Sequence, residues 1–294
     1  MIQYSINELE SLTGIKAHTI RIWEKRYGLL KPERTDTNIR HYSNDELRKL
    51  INVTTLYNGG MKISHIVNLS ENELNEKITE LINTSQSEQT AVYEPYIGNL
   101  ITASLTFDEV SFEKNFSNAI LRYGLANTYQ FILLPVLQRI GILWNTEKIN
   151  PGQEHFISNL VLQKIYSAID GLQPSANSEE KWLLFLPQHE FHEIGLLIAN
   201  YLLRNAGKKV IYLGSRVPYD ALVQTAQFNK PTHLMLVIVR NQPADELQEY
   251  LDKLSIEFKD LKIIITGNTA LLSQVKIKKP MILISSFEEF VKEI

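Results

Sequence analysis

The chain of 294 residues is 44% apolar and 21% charged, with a formal net charge of −3, so it is long enough for two or three packed cores. That balance excludes a polybasic nucleic-acid binder as a description of the whole, while leaving room for a local basic face. Cysteine is absent, which excludes disulfides, thiolate metal sites and thiol nucleophiles, and no apolar run approaches the roughly 18 residues of a membrane span.

The opening stretch, MIQYSINELESLTG, has neither the basic nor the apolar region of an export signal, so a soluble cytoplasmic protein with no membrane partner is expected. Residues 1–82 alternate short helical patterns with polar turns. Ser5, with Glu8 three residues on, predicts a capped helix start; Leu9 and Leu12 form its apolar face and Gly14 supplies the turn. A second helix, Ala17 to about Lys25, sends Ile20 and Trp23 inward, and its other face carries Lys16, His18, Thr19, Arg21 and Lys25. The turn-rich KPERTDTNIRHYS then places Arg34, Arg40 and Tyr42 in a β-hairpin wing. From Lys16 to Lys49 cations outnumber anions nine to five in an otherwise acidic chain, the local excess that phosphate binding needs. By pattern alone these residues also suit a solvated helical surface. The stretch SINELESLTGIKAHTIRIWEKRYGLLKPERTDTNIRHYSNDELRKL resembles the MerR family of winged helix-turn-helix domains, most specifically in TIRIWEKRYGLLKPERT and the RHYS that follows. The resemblance implies that Ala17–Lys25 enters the major groove of double-stranded operator DNA. It further implies that Arg21, Lys25, Arg40 and Tyr42 contact phosphate, and that the chain acts as a homo-oligomer, a dimer or a tetramer. Asn38 stands where many members have glycine in the wing turn, and asparagine also tolerates positive φ.

Residues 83–92 are polar and aperiodic and read as a linker. From 93 to 173 the pattern is helical throughout, with four helices that suggest a small bundle. Pro135 is expected to kink or begin the apolar helix YQFILLPVLQRIGILW, and Gly171 to end GQEHFISNLVLQKIYSAIDGL. PSANSEEK, 174–181, reads as a second linker. Within 182–294 the apolar runs WLLFLP, KVIYLG, HLMLVIV, KIIITG and MILIS alternate with helical segments, the rhythm of a five-stranded, doubly wound parallel sheet. The expected fold is therefore α plus α/β: a winged helix-turn-helix head, a four-helix bundle and a five-stranded α/β domain.

After the first of these strands, QHEFHEIG sets His189, Glu190, His192 and Gly195 at a strand-to-helix turn. Histidines three apart at a turn do not make the four-apart helical zinc pair, and neither a G-x-S-x-G elbow nor a Gly-rich phosphate loop occurs, so a hydrolase is not expected. The residues suit either a solvated loop or a ligand site. Open α/β sheets bind ligands at the carboxyl ends of their strands; Glu190 is spaced to orient the His192 imidazole, and Gly195 admits close approach to the helix start. EFHEIG resembles the D-x-H-x-x-G signature of cobalamin-binding modules, with Glu190 in place of the aspartate. That likeness implies His192 as the lower axial ligand of cobalt, displacing the cofactor's own nucleotide base, and Gly267 beside the nucleotide tail.

In the bundle, WNTEKINPGQEH sets Trp144, Glu154 and His155 at a W-x9-E-H spacing. By pattern alone Trp144 suits a core and the other two a helix surface. The spacing resembles the helical cap of CarH/LitR-type photoreceptor repressors, MerR-type proteins that carry adenosylcobalamin. The likeness implies Trp144, Glu154 and His155 over the adenosyl face, with Glu154 accepting hydrogen bonds from ribose hydroxyls.

The chain departs from the family pattern in three further places. Cobalamin modules usually carry S-x-L or T-x-S beside the nucleotide tail, and here Ile238 and Arg240 hold those positions. A later Gly-Gly pair becomes Gly267–Asn268, and a histidine that directly follows the tryptophan becomes Asn145. Added bulk in a packed slot costs ~1–3 kcal/mol, so tail binding is expected to weaken. The implied protein is not an enzyme, although corrinoid methyltransferases share the α/β module; it is a transcription regulator, a repressor, gated by adenosylcobalamin and light. The alternatives are a cobalamin-independent MerR-type regulator on the same scaffold and a sensor of another ligand.

Overall fold

A computed structural model describes residues 4–34, 39–58, 60–84, 92–145, 150–175 and 178–294, so Asn38 and most of the 83–92 linker lie outside the described residues. The chain forms two compact units, Met1–Ile157 and Ser158–Ile294, whereas the sequence pattern sets its boundaries at the polar stretches 83–92 and 174–181.

In the first unit, α1 (Ile6–Thr13) starts at a capping box. Ser5 Oγ accepts from the Glu8 amide, the Glu8 carboxylate accepts from the Ser5 amide, and the helix ends at Gly14 with φ 74°. A short turn leads into α2 (Ala17–Tyr27), which buries Ile20 and Trp23. The wing strands β1 (Glu33–Arg34) and β2 (Arg40–His41) pair antiparallel. Tyr4 and Tyr42 exchange backbone hydrogen bonds of 2.8 and 2.9 Å, fastening the exit of the wing to the start of the head. Helices α3 (Asn44–Asn58), α4 (Ile63–Ile66) and α5 (Glu71–Thr84) complete the head.

Four helices follow: α6 (Glu94–Thr106), α7 (Glu109–Thr128), α8 (Leu134–Asn145) and α9 (Pro151–Asp170). The α6 helix lies directly on α3, because a Cβ at Gly98 would fall 2.6 Å from Ile51 Cγ2 and only glycine admits that approach. Arg139 of α8 clamps Glu94 of α6 through two bonds of 3.0 and 2.7 Å. Pro135 does sit near a helix start. It has no N–H to give to the residue four back, and the chain meets it with a π-turn over Tyr129–Leu133, in which the Leu134 amide donates to Tyr129 O.

The second unit holds β3 (Lys181–Pro187), α10 (Ile194–Asn205), β4 (Lys209–Val217), α11 (Tyr219–Asn229), β5 (His233–Ile238), α12 (Ala244–Glu257), β6 (Lys262–Gly267), α13 (Thr269–Leu272), β7 (Met281–Leu283) and α14 (Phe287–Glu293). The sheet is parallel throughout with order β4-β3-β5-β6-β7, as the rhythm of apolar runs predicts. Trp182 to Leu186 are fully buried, the mark of a central strand covered on both faces. Leu183, Phe185, Leu234 and Leu236 pack beneath Leu222 of α11 and Leu247 and Leu251 of α12. The chain leaves β3 for β4 and then returns past β3 to β5, so the winding reverses between β3 and β5. In open α/β sheets ligands sit outside the carboxyl ends of the strands at such a reversal. Among the described residues no helix is long and apolar enough to cross a membrane.

Candidate functional site

Glu190 and His192 lie at that reversal point. Glu190 is 3% exposed and collects five donors. Its Oε1 accepts from the Phe191 amide at 2.9 Å, the His192 amide at 3.0 Å and His192 Nδ1 at 2.6 Å. Its Oε2 accepts from the Val239 and Arg240 amides at 2.7 and 2.8 Å. The side chain thus ties the turn after β3 to the end of β5. Burial pushes this carboxyl up, but the bonds from the His192 ring and the Arg240, His192 and Val239 amides outweigh it and hold the group at about 2. A carboxylate facing Nδ1 assigns the ring proton there and leaves the lone pair on Nε2. The His192 side chain is 56% exposed, so a ring held through Nδ1 also reaches the surface. Gly195, the second residue of α10, is half-buried beside the turn.

The next residue, Glu193, does not cap α10; its Oε1 accepts from Tyr212 OH at 2.7 Å and Tyr166 OH at 3.1 Å. Burial, then the bond to Glu193 and its charge, drive the Tyr212 hydroxyl far above its ordinary value. Gly214 has φ 73° and makes this possible, since a Cβ there would stand 3.1 Å from Glu193 Oε1. Register against β3 shifts twice along β4, before and after Phe185, and Arg216 takes φ 59° in the second irregular stretch. Its guanidinium lies 4.4 Å from the ring centre of Phe191, which is 48% exposed between Glu190 and His192. No sequence motif gives a role to Tyr166, Tyr212 or Arg216, nor to Phe191 and Glu193 within EFHEIG. The only sequence signal was a glycine inside the second apolar run.

At the end of β6, Gly267 has φ 136°, and a Cβ there would fall 2.0 Å from the backbone oxygen of Ile238. Because the obstacle is backbone and cannot rotate away, Gly267→Ala is expected to lower stability by about 3 kcal/mol or more in urea denaturation; an unchanged midpoint would contradict this packing. Ile238 is 1% exposed. The Asn268 amide donates to Ile238 O at 2.7 Å. Its side chain caps α13 by accepting from the Ala270 and Leu271 amides, and donates to Asn241 Oδ1 at 3.0 Å and Val239 O at 3.4 Å. Arg240 sends Nη1 to His189 O at 3.4 Å.

In the head, Lys16, His18, Arg21, Lys25 and Arg34 are exposed and Thr19 is half-buried. Lys16 pairs with Glu10 at 3.0 Å. Arg26 and Lys31, which the motif reading passed over, are exposed as well. Arg40 is half-buried, its Nε on Glu24 Oε1 at 3.0 Å. Tyr42 corrects the expectation of a phosphate contact. It is wholly buried, and its hydroxyl donates to Glu24 Oε2 at 3.1 Å, so it buttresses the Glu24–Arg40 pair from inside. The backbone pairing with Tyr4 turns this side chain into the core of the head.

In the bundle, Asn150 and Gln153 cap the start of α9 reciprocally, and buried Gln153 also donates to Leu105 O at 2.7 Å. Glu154 and His155 follow in the same first turn, with side chains 34% and 71% exposed and His155 Nδ1 3.1 Å from Glu154 Oε2. Trp144 and Asn145 close α8, and their side chains lie outside the described residues.

Residues 4–73 match the family model of MerR HTH family regulatory proteins, and residues 96–167 match that of a B12 binding domain. The chain is 26% identical over 252 residues to the HTH-type transcriptional repressor CarH of Myxococcus xanthus, covering 85% of this chain and 84% of that protein. It is 26% identical over 249 residues to the repressor CarA of the same organism, covering 84% and 80%. Among solved structures, the Methanosarcina barkeri monomethylamine corrinoid protein superposes with a TM-score of 0.55 at 14% identity, over 67% of this chain and 96% of that one, a likeness of fold.

Proposed function

We propose that this chain, which joins a MerR HTH domain to a B12 binding domain, is a transcription repressor whose hold on operator DNA is set by a bound cobalamin. The pairing supports a regulator rather than an enzyme. The observation that carries the reading is the Glu190–His192 pair: a buried, ionised carboxylate on Nδ1, at the reversal point of the sheet, presenting Nε2 on an exposed ring. A cobalt held in a corrin would take a nitrogen donor from the protein, and an imidazole oriented through its other nitrogen, as His192 is by Glu190, would supply it. On the cobalt side the residues therefore fit the cofactor. Glu154, His155 and Trp144 are proposed as the groups toward the adenosyl side, a role carried by the resemblance.

When bound, adenosylcobalamin supplies a cobalt–carbon bond that light breaks, and with it two ligand states. The chain's own part is to make those states felt. Glu190 holds the His192 ring through Oε1 and the Val239 and Arg240 amides through Oε2, so a movement of the ring is transmitted to the end of β5. Regulation then requires that ligand state and DNA affinity share one coupling free energy. In the head, Arg21 and Lys25 are the exposed cations of α2 best suited to phosphate. Arg21→Ala and Lys25→Ala should each weaken DNA binding alike for all sequences and lower the slope of log affinity against log salt by about 1; an unchanged slope would remove them from the interface.

A gel shift with a fragment of operator DNA tests the whole reading. Retardation is expected with adenosylcobalamin in the dark and its loss after green illumination. Equal retardation with and without the cofactor would favour the second reading, a cobalamin-independent regulator, to which the tight Gly267–Ile238 contact and the bonds of Asn268 to Asn241 and Val239 lend support.

A further inference from the structure

The carboxyl edge of the sheet is closed on both sides of β5. Between β3 and β5, Glu190 accepts from Phe191 and His192 on one bank and from Val239 and Arg240 on the other. Between β5 and β6, Asn268 accepts from Ala270 and Leu271 on its own bank and donates to Asn241 Oδ1 and Val239 O across the gap. Beneath that bridge the Asn268 amide donates to Ile238 O, Ile238 is buried, and Gly267 already touches the Ile238 backbone so closely that no methyl group fits. A flat aromatic base could enter either gap only by breaking two hydrogen bonds and displacing strand backbone. The His192 ring, by contrast, is reached from outside, next to the exposed Phe191 held under Arg216.

We propose that this site takes a corrinoid by its macrocycle and cobalt alone, leaving the nucleotide tail outside the sheet, so that a tail-less corrinoid is bound at least as well as a complete cobalamin. The inference rests on His192 being the cobalt ligand. A complete cobalamin carries its own base on the axial position that His192 takes, and that base must first be displaced. Where a slot receives the released base, its burial offsets the displacement; a closed edge offers no such return. Cobinamide, which lacks the nucleotide, has no base to displace. Asn268, Asn241 and Ile238 are thus the residues that set which corrinoids the site accepts.

The test is a titration of the full chain in the dark with aquacobalamin and, separately, with diaquacobinamide, reading the visible absorption change on imidazole ligation. Cobinamide is expected to bind with equal affinity or up to about tenfold more tightly, and His192→Ala to lose the spectral change with both. Cobalamin binding tighter than cobinamide by more than about twofold, with the change lost in His192→Ala, would overturn the closed edge while leaving the cobalt ligand in place. No spectral change with either corrinoid would overturn both.

Discussion

Replacing Glu190 by alanine is expected to lower folding stability by about 3 kcal/mol or more and to loosen the His192 ring at once. The carboxylate is buried and takes five donors, four of them backbone amides. Without it the Val239 and Arg240 amides lose their acceptor at the end of β5, each at a cost of ~1–3 kcal/mol less whatever water recovers. Acid should expose the same bond network. A carboxyl held at about 2 in the folded chain, against 4.5 in the unfolded one, contributes stability that is fully present above pH 4.5. That contribution is lost as pH falls from 4.5 toward 2, and its full size is on the order of 3 kcal/mol. Urea denaturation of wild type and Glu190→Gln at pH 7 and pH 3 should therefore show a gap that narrows on acidification. A gap of constant size would mean that the charge of Glu190 does not hold the turn.

His192→Ala should behave in the opposite manner. The ring is exposed and its removal opens no core, but buried Glu190 loses one of its five donors, so stability should fall by about 1–2 kcal/mol, less than in Glu190→Ala. Corrinoid binding, however, should weaken by about a hundredfold, and the dependence of DNA binding on cobalamin should vanish with it. Added imidazole should restore part of the spectrum, because the position to be filled is a single nitrogen. Retention of the ligated spectrum in this variant would point instead to the exposed His189, three residues away.

The coupling that such a regulator needs has a physical basis in the first unit. Gly98 lets α6 rest on Ile51 of α3, and Arg139 and Glu94 lock α8 onto α6, so α6 and α8, which lie in the stretch that matches the B12 binding domain, pack with the DNA-binding head in one unit. A shift of those helices cannot leave the head untouched. The polar composition of residues 83–92 suggested a looser attachment, because the glycine that seats α6 looks like any other small residue in an apolar helix.

Periodicity and capping chemistry made much of the fold legible. Continuous apolar runs announced buried parallel strands, Ser5 and Glu8 announced α1, and the spacing of Glu190 and His192 suggested the pair that the structure forms at 2.6 Å. What stayed hidden depends on contacts with no period. Tyr42 directly follows a wing strand two residues long, too short for alternation to tell inside from outside, and the family resemblance implied a phosphate contact there. Tyr166 and Tyr212 meet at Glu193 only because β4 is irregular at Gly214, and Arg216 reaches Phe191 through a left-handed conformation that no residue pattern marks. Asn268 was visible as a substitution, but the bridge it builds to Asn241 and Val239 was not.

The central claim, that the Nε2 lone pair of His192 is given to cobalt, is tested most directly by electron paramagnetic resonance of the protein loaded with paramagnetic cob(II)alamin. With histidine of natural isotopic abundance each cobalt line should split into three by the axial nitrogen. Growth on histidine labelled with nitrogen-15 should turn those triplets into doublets, and His192→Ala should abolish the effect of the label. Triplets that persist unchanged in the labelled protein would place the cofactor's own base, not this imidazole, on the metal.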